Sequence, residues 1–178
     1  MNDRDKVLAA AALVAKGDSS FIAYETKVET GWCLALVHSI CDKAFTAQWA
    51  LMNAAYGIMN QRGRAVPWAS DLAAAAKQTG LLYSELHPGC LVYWDWSDHA
   101  GHAYGHIGVY LGAWGPGRIP SILENTSAIR GTGVWDARHG AVRITPVAAC
   151  PKPTLLIAPT RQALTTDRAA YAATHARS

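Results

Sequence analysis

Residues 88–112 read PGCLVYWDWSDHAGHAYGHIGVYLG, and their reading decides the fold. Leu91 to Trp96 is β-branched or aromatic apart from Leu91 and Asp95, and Ile107 to Leu111 alternates apolar side chains with Gly108 and Tyr110. Both runs suit a pleated, half-buried surface, so the stretch predicts two strands joined by the turn-forming linker SDHAGHAYG. His106 then stands at the mouth of the second strand. Gly105 and Gly108 flank the His106 and Ile107 pair, which lets other groups approach the imidazole without meeting a Cβ. A single histidine at a strand end has a structural explanation as readily as a catalytic one, so a partner is needed.

The partner lies upstream, in ETGWCLALVHSI. Cys33 precedes apolar residues at helical spacing (Leu34, Val37, Ile40, then Phe45 and Trp49), which places it at or just inside a helix N-terminus with Thr30 as the N-cap. Unpaired N–H groups and the helix dipole at that place stabilise negative charge and favour a thiolate. A cysteine at a helix start and a histidine on a distant strand make the papain-type pair, close in space and far apart in sequence.

At these residues the chain resembles the NlpC-like and CHAP-like peptidoglycan hydrolases, over roughly residues 20–147. PGCLVYW and GHIGVYLG resemble the strand pair of those families, and Cys33 is similar to their nucleophile. Two positions depart from the pattern: Gly-Trp-Cys-Leu-Ala stands where NlpC enzymes have Asp-Cys-Ser-Gly, and Cys90 replaces the acid usual after the Pro-Gly turn. They leave the subfamily and the bond cleaved open. The resemblance also implies a cleft tyrosine near the nucleophile, for which Tyr24 is the candidate; a half-buried tyrosine with its hydroxyl in water accounts for it equally well.

Papain-like sites carry a third polar group that accepts from the far imidazole nitrogen. The glycine- and proline-rich AWGPGRIP reads as a hairpin connection, and SILENTSA as the strand returning beside His106. Neighbours on a strand face opposite ways, so only one of Glu124 and Asn125 can serve. Asn125 is the expected member, sharing its face with Leu123 and Ser121, and Glu124 is the alternative. Residues 141–147 read as a closing strand after a long loop, from which Arg130, Trp135 and Arg138 are candidates for a substrate rim. Tyr24, Trp32, Trp94, Trp96 and Trp135 are the substrate-binding candidates, and Trp114 joins them as an aromatic near the cleft; such rings stack on sugars, although core packing explains most tryptophans as well.

A length of 178 residues makes one domain the default, and 51% hydrophobic with 16% charged residues describes a globular chain. A net charge of +3 suits an anionic polymer such as cell wall, but no basic run points to nucleic acid. Four cysteines (33, 41, 90 and 150) show no disulfide-scaffold spacing and are expected as free thiols, one reactive and three buried. His99, His102, His106 and Cys90 raise zinc as a rival, but Gly101 and Gly105 interrupt any shared helical face and neither HExxH nor CxxC is present, so no metal and no cofactor is expected. His99 and His102 are placed instead on a mobile loop beside the cleft.

The apolar stretch Leu8 to Val14 is bracketed by charges and reads as an amphipathic helix packed on the domain, not a secretion signal or a membrane span. From Cys33 helical spacing runs on through Trp49, Met52 and Ala55 until Gly57 and NQRGR break it. A second helix starts at Pro67 or Ser70 and ends at Gly80. The expected organisation is a catalytic domain over residues 1–150 and a tail or short helix over 151–178.

These readings converge on an α+β fold of the papain-like type, with the Cys33 helix packed on an antiparallel sheet that carries His106 and Asn125. The expected function is thiol-dependent cleavage of an amide bond in a peptidoglycan stem peptide, by a monomer that inserts in no membrane and accumulates in the cytosol of its producing cell. A phage endolysin or an injected effector would fit. A cysteine peptidase, amidase or transferase acting on a non-wall substrate, and an inactive binding module of the same fold, remain as alternatives.

Overall fold

Asn2 opens the first helix, α1 (Asp3–Ala15): its side chain accepts from the Arg4 N–H at 3.3 Å while the Asp5 carboxylate accepts from the Asn2 N–H at 3.3 Å, a reciprocal cap. Val7, Ala10, Ala11 and Val14 fall on one face of it and are buried, so α1 packs on the domain through its apolar stripe. The computed structural model describes residues 1–18, 20–22, 32–45, 49–97, 100–126 and 141–175.

Where the spacing predicts one helix from Cys33 onward, the structure has two, α2 (Trp32–Phe45) and α3 (Ala50–Gln61). Trp49 takes extended backbone immediately before α3, and its buried indole N–H donates to the Pro159 carbonyl at 2.7 Å. That tertiary bond holds the chain out of helix at a position where apolar periodicity alone would continue it. Gly57, the expected breaker, lies inside α3. Helix α4 (Ala69–Thr79) is capped by Trp68 rather than by Pro67 or Ser70, because Asp71 accepts from the Trp68 N–H at 2.8 Å; Gly80 ends it in the left-handed region, as expected.

Six strands follow: β1 (Leu82–Tyr83), β2 (Leu91–Trp94), β3 (His106–Trp114), β4 (Ile119–Thr126), β5 (Ala141–Pro146) and β6 (Leu155–Ile157). They form one antiparallel sheet in the order β1-β6-β2-β3-β4-β5, so the fold is α+β. The segment beyond Pro151 is more than a tail. Strand β6 inserts between β1 and β2, and the last helix, α5 (Arg161–His175), buries Ala163 and Leu164, so a boundary at residue 150 does not separate two units.

Strand alternation divides the core. Leu91, Tyr93, Ile107, Val109, Leu123 and Ile157 join the helices on one face of the sheet, where Leu36, Val37 and Ile40 of α2 are fully buried. Each such side chain contributes about 1.5–3 kcal/mol by leaving water. Cys90, Val92, Trp94 and Ile122 form a smaller cluster on the other face, against Val147 and Cys150. Among the described residues no helix is long and apolar enough to cross a membrane.

One irregularity in the sheet positions the site. The β3–β4 ladder pairs Trp114 with Ile119 and Gly112 with Ser121, then shifts so that Tyr110 faces Ile122 and Gly108 faces Glu124. The extra residue on β3 is a bulge beside Gly112, whose φ of 75° is open to glycine at little cost.

Candidate active site

Cys33 is the second residue of α2 and is half-buried against the main core. The predicted cap, Thr30, lies outside the described residues. His106 is the first residue of β3, so its ring stands at the end of the sheet, within hydrogen-bonding reach of Cys33. Trp94, its register partner on β2, stacks on the imidazole with ring centroids 5.5 Å apart and planes at 29°.

The imidazole Nε2 lies 2.7 Å from Oε2 of Glu124, and Oε1 of Glu124 accepts from the Thr145 hydroxyl of β5 at 2.5 Å. With Nε2 engaged, Nδ1 is the nitrogen left for Cys33. The Glu124 side chain is only 4% exposed and that of His106 24%, so the pair is largely shielded from water. Burial disfavours the imidazolium, but the hydrogen bonds to Cys33 and Glu124, and their charges, outweigh it and lift the His106 pKa well above its ordinary value.

The expectation that Asn125 serves as third member is corrected by this geometry. Asn125 is buried on β4, on the strand face of Ser121 and Leu123, and Leu123 points into the helix-side core. The bulge decides the matter: continued without it, the ladder would set Asn125 opposite Gly108, whereas the shifted register sets Glu124 there, diagonal to His106 and on its face.

The two glycines act as their positions suggest. A Cβ at Gly108 would come within 2.7 Å of the Leu123 carbonyl oxygen and 3.3 Å of the Glu124 Cβ, so the bare backbone there is what lets β4 carry its carboxylate past to His106. A Cβ at Gly105, where φ is 70°, would meet the Tyr93 ring at 2.4 Å. Tyr93, which no sequence motif singles out, brings its hydroxyl to this spot and donates to Asp95 at 3.0 Å. Its pKa is raised by burial first, then by Asp95, with the charge of Cys33 adding to it.

The substrate-binding candidates divide. Trp96 is 38% exposed, two residues beyond the end of β2. Trp94 is buried, gives its indole N–H to the Pro151 carbonyl at 2.8 Å and backs His106, so it is a wall of the site and not an open stacking face. Trp114 ends β3 at the opposite end from His106, about 26 Å away at the usual rise of a strand, which removes it from the cleft. Tyr24, Arg130, Trp135 and Arg138 lie outside the described residues, as does the side chain of Trp32.

Among the described residues all four thiols are free. Burial pushes the Cys41 thiol well above its ordinary pKa and the Cys90 thiol up to about 12, which leaves both as inert core residues. Cys150 is half-exposed, a correction to the expectation of three buried thiols. Among the described residues no three of His, Cys, Asp and Glu come together as a metal site; His99 lies outside them. His102 lies among aromatic rings, in contact with Trp68 and Tyr104.

No family model, no curated protein and no solved structure matches this chain. The arrangement itself supports one kind of chemistry: a thiol at a helix start exchanges its proton with an imidazole whose second nitrogen is fixed by a buried carboxylate.

Proposed function

We propose that the chain is a papain-like cysteine hydrolase of the NlpC or CHAP type that cleaves an amide bond in the stem peptide of peptidoglycan. The observation that carries this reading is the row Cys33, His106, Glu124, in which one imidazole joins a thiol at the start of α2 to a buried carboxylate. His106 takes the thiol proton through Nδ1, and a protonated imidazole beside the sulfur favours the thiolate. Cys33 Sγ attacks the amide carbonyl, and N–H groups at the start of α2 receive the oxyanion. The imidazolium returns its proton to the leaving amine as the C–N bond breaks. Water, deprotonated by His106, then hydrolyses the thioester and frees Cys33.

Glu124 holds the ring in the tautomer and orientation this cycle requires and stabilises its charged form. The net charge of +3 is consistent with an anionic wall polymer as substrate, and the intact row weighs against an inactive binding module. A synthetic stem peptide tests the reading. The wild-type chain should cleave it and Cys33→Ala and His106→Ala should not, whereas equal cleavage by Cys33→Ala would remove the thiol mechanism.

A further inference from the structure

Aromatic side chains from three separate segments meet at the end of the sheet where His106 sits. Trp68 caps α4, Trp96 follows β2, and His102 and Tyr104 precede β3. Their rings form a connected row, with centroids 5.9 Å apart from Trp96 to Tyr104, 4.4 Å from Tyr104 to Trp68 and 5.6 Å from Tyr104 to His102. The guanidinium of Arg64 lies over the Trp68 ring, 3.7 Å from its centroid. Backbone hydrogen bonds fix the row: Tyr104 accepts from the Ser70 N–H at 3.0 Å, and Trp96 from the Gly105 N–H at 2.9 Å. Trp96 and His102 are nonetheless exposed and Tyr104 is half-exposed. Rigidly held aromatic surface left in water beside a reactive centre is the mark of a preorganised ligand site.

The chemistry of the row selects its ligand. Indole and phenol faces are electron-rich and pack against the C–H face of a pyranose, while the Tyr104 hydroxyl and the His102 imidazole are suited to sugar hydroxyls. Arg62 and Arg64 share the single carboxylate of Asp71, so positive charge remains in excess at the row's edge, where the Arg62 side chain is 47% exposed. We propose that this row is a glycan subsite, stacking a hexopyranose ring of the wall polymer while the peptide branch reaches Cys33 and His106, the latter two residues along the chain from Tyr104. The choice of a wall glycan rests on the hydrolase reading, and the stacking site does not depend on catalysis.

Binding is therefore tested in the Cys33→Ala chain, by saturation-transfer NMR with a β-1,4-linked N-acetylglucosamine tetrasaccharide. Transfer to the ring C–H protons of the sugar is expected, and adding Trp96→Ala should weaken the affinity roughly tenfold. As a second measurement on the unmutated platform, the tetrasaccharide should protect Trp96 from oxidation by N-bromosuccinimide. No transfer, or transfer and protection confined to tryptophans away from Trp96, overturns the subsite. Hydrolysis of a sugar-free stem peptide without tetrasaccharide binding removes the subsite and leaves the hydrolase reading. Tetrasaccharide binding that Trp96→Ala weakens, in a chain whose wild type cuts no peptide, upholds the subsite and removes the hydrolase reading.

Discussion

Glu124→Gln keeps the shape of the side chain next to His106 and removes its charge. The contact is 2.7 Å long and the carboxylate is 4% exposed, so water does little to screen it. A hydrogen bond to a charged group in that setting is worth about 1.5–3 kcal/mol, and 1.36 kcal/mol corresponds to one decade in proton affinity, so the variant should release the His106 proton about one to two pH units lower. The folded chain holds that proton up to about pH 10, above the ordinary histidine value of 6.5, so the charged pair favours the folded state at low and neutral pH. The stability lost in Glu124→Gln should thus be full below the variant's own titration point and should vanish above about pH 10. The imidazole Cε1–H resonance followed against pH by NMR reads the titration directly. An unchanged titration in Glu124→Gln, or a larger change in Asn125→Ala, would refute the assignment of the third member.

Gly108→Ala should lower stability by about 1–3 kcal/mol through overpacking, and should also reduce turnover because the new methyl pushes β4 and its carboxylate away from His106; thermal melts and a peptide assay check both. Iodoacetamide followed by peptide mapping should label Cys33 first in the folded chain, while Cys41 and Cys90, both buried, should react only after denaturation. EDTA should change neither the activity nor the Tm; stoichiometric zinc whose removal abolishes activity would replace the thiol mechanism with metal-assisted hydrolysis.

The strand pair and the cysteine helix were legible because their signals are local. β-branched and aromatic content marks β2, apolar alternation marks β3, and an apolar helical stripe follows Cys33. The pairing of Cys33 with His106, on which the proposed mechanism rests, follows from those two elements and the glycines around His106. What was not legible depends on long-range register and tertiary contact. One bulge residue on β3 exchanges Asn125 for Glu124 opposite Gly108, and only Gly112, beside the bulge, carries a sequence trace of it. The break between α2 and α3 involves an indole bond to Pro159, distant in sequence. Strand β6 is three residues long and sits between strands drawn from far upstream, so no periodicity announces it. Trp68 and Tyr104 belong to no sequence motif, and only the fold brings them together next to Trp96.

Digestion of purified peptidoglycan, with mass spectrometry of the soluble fragments, tests the central claim most directly. The account predicts stem-peptide fragments with one new amine and one new carboxyl terminus from the wild-type chain, and none from a folded Cys33→Ala chain. Intact peptidoglycan after incubation with the wild type, or the same fragments from Cys33→Ala, would contradict it.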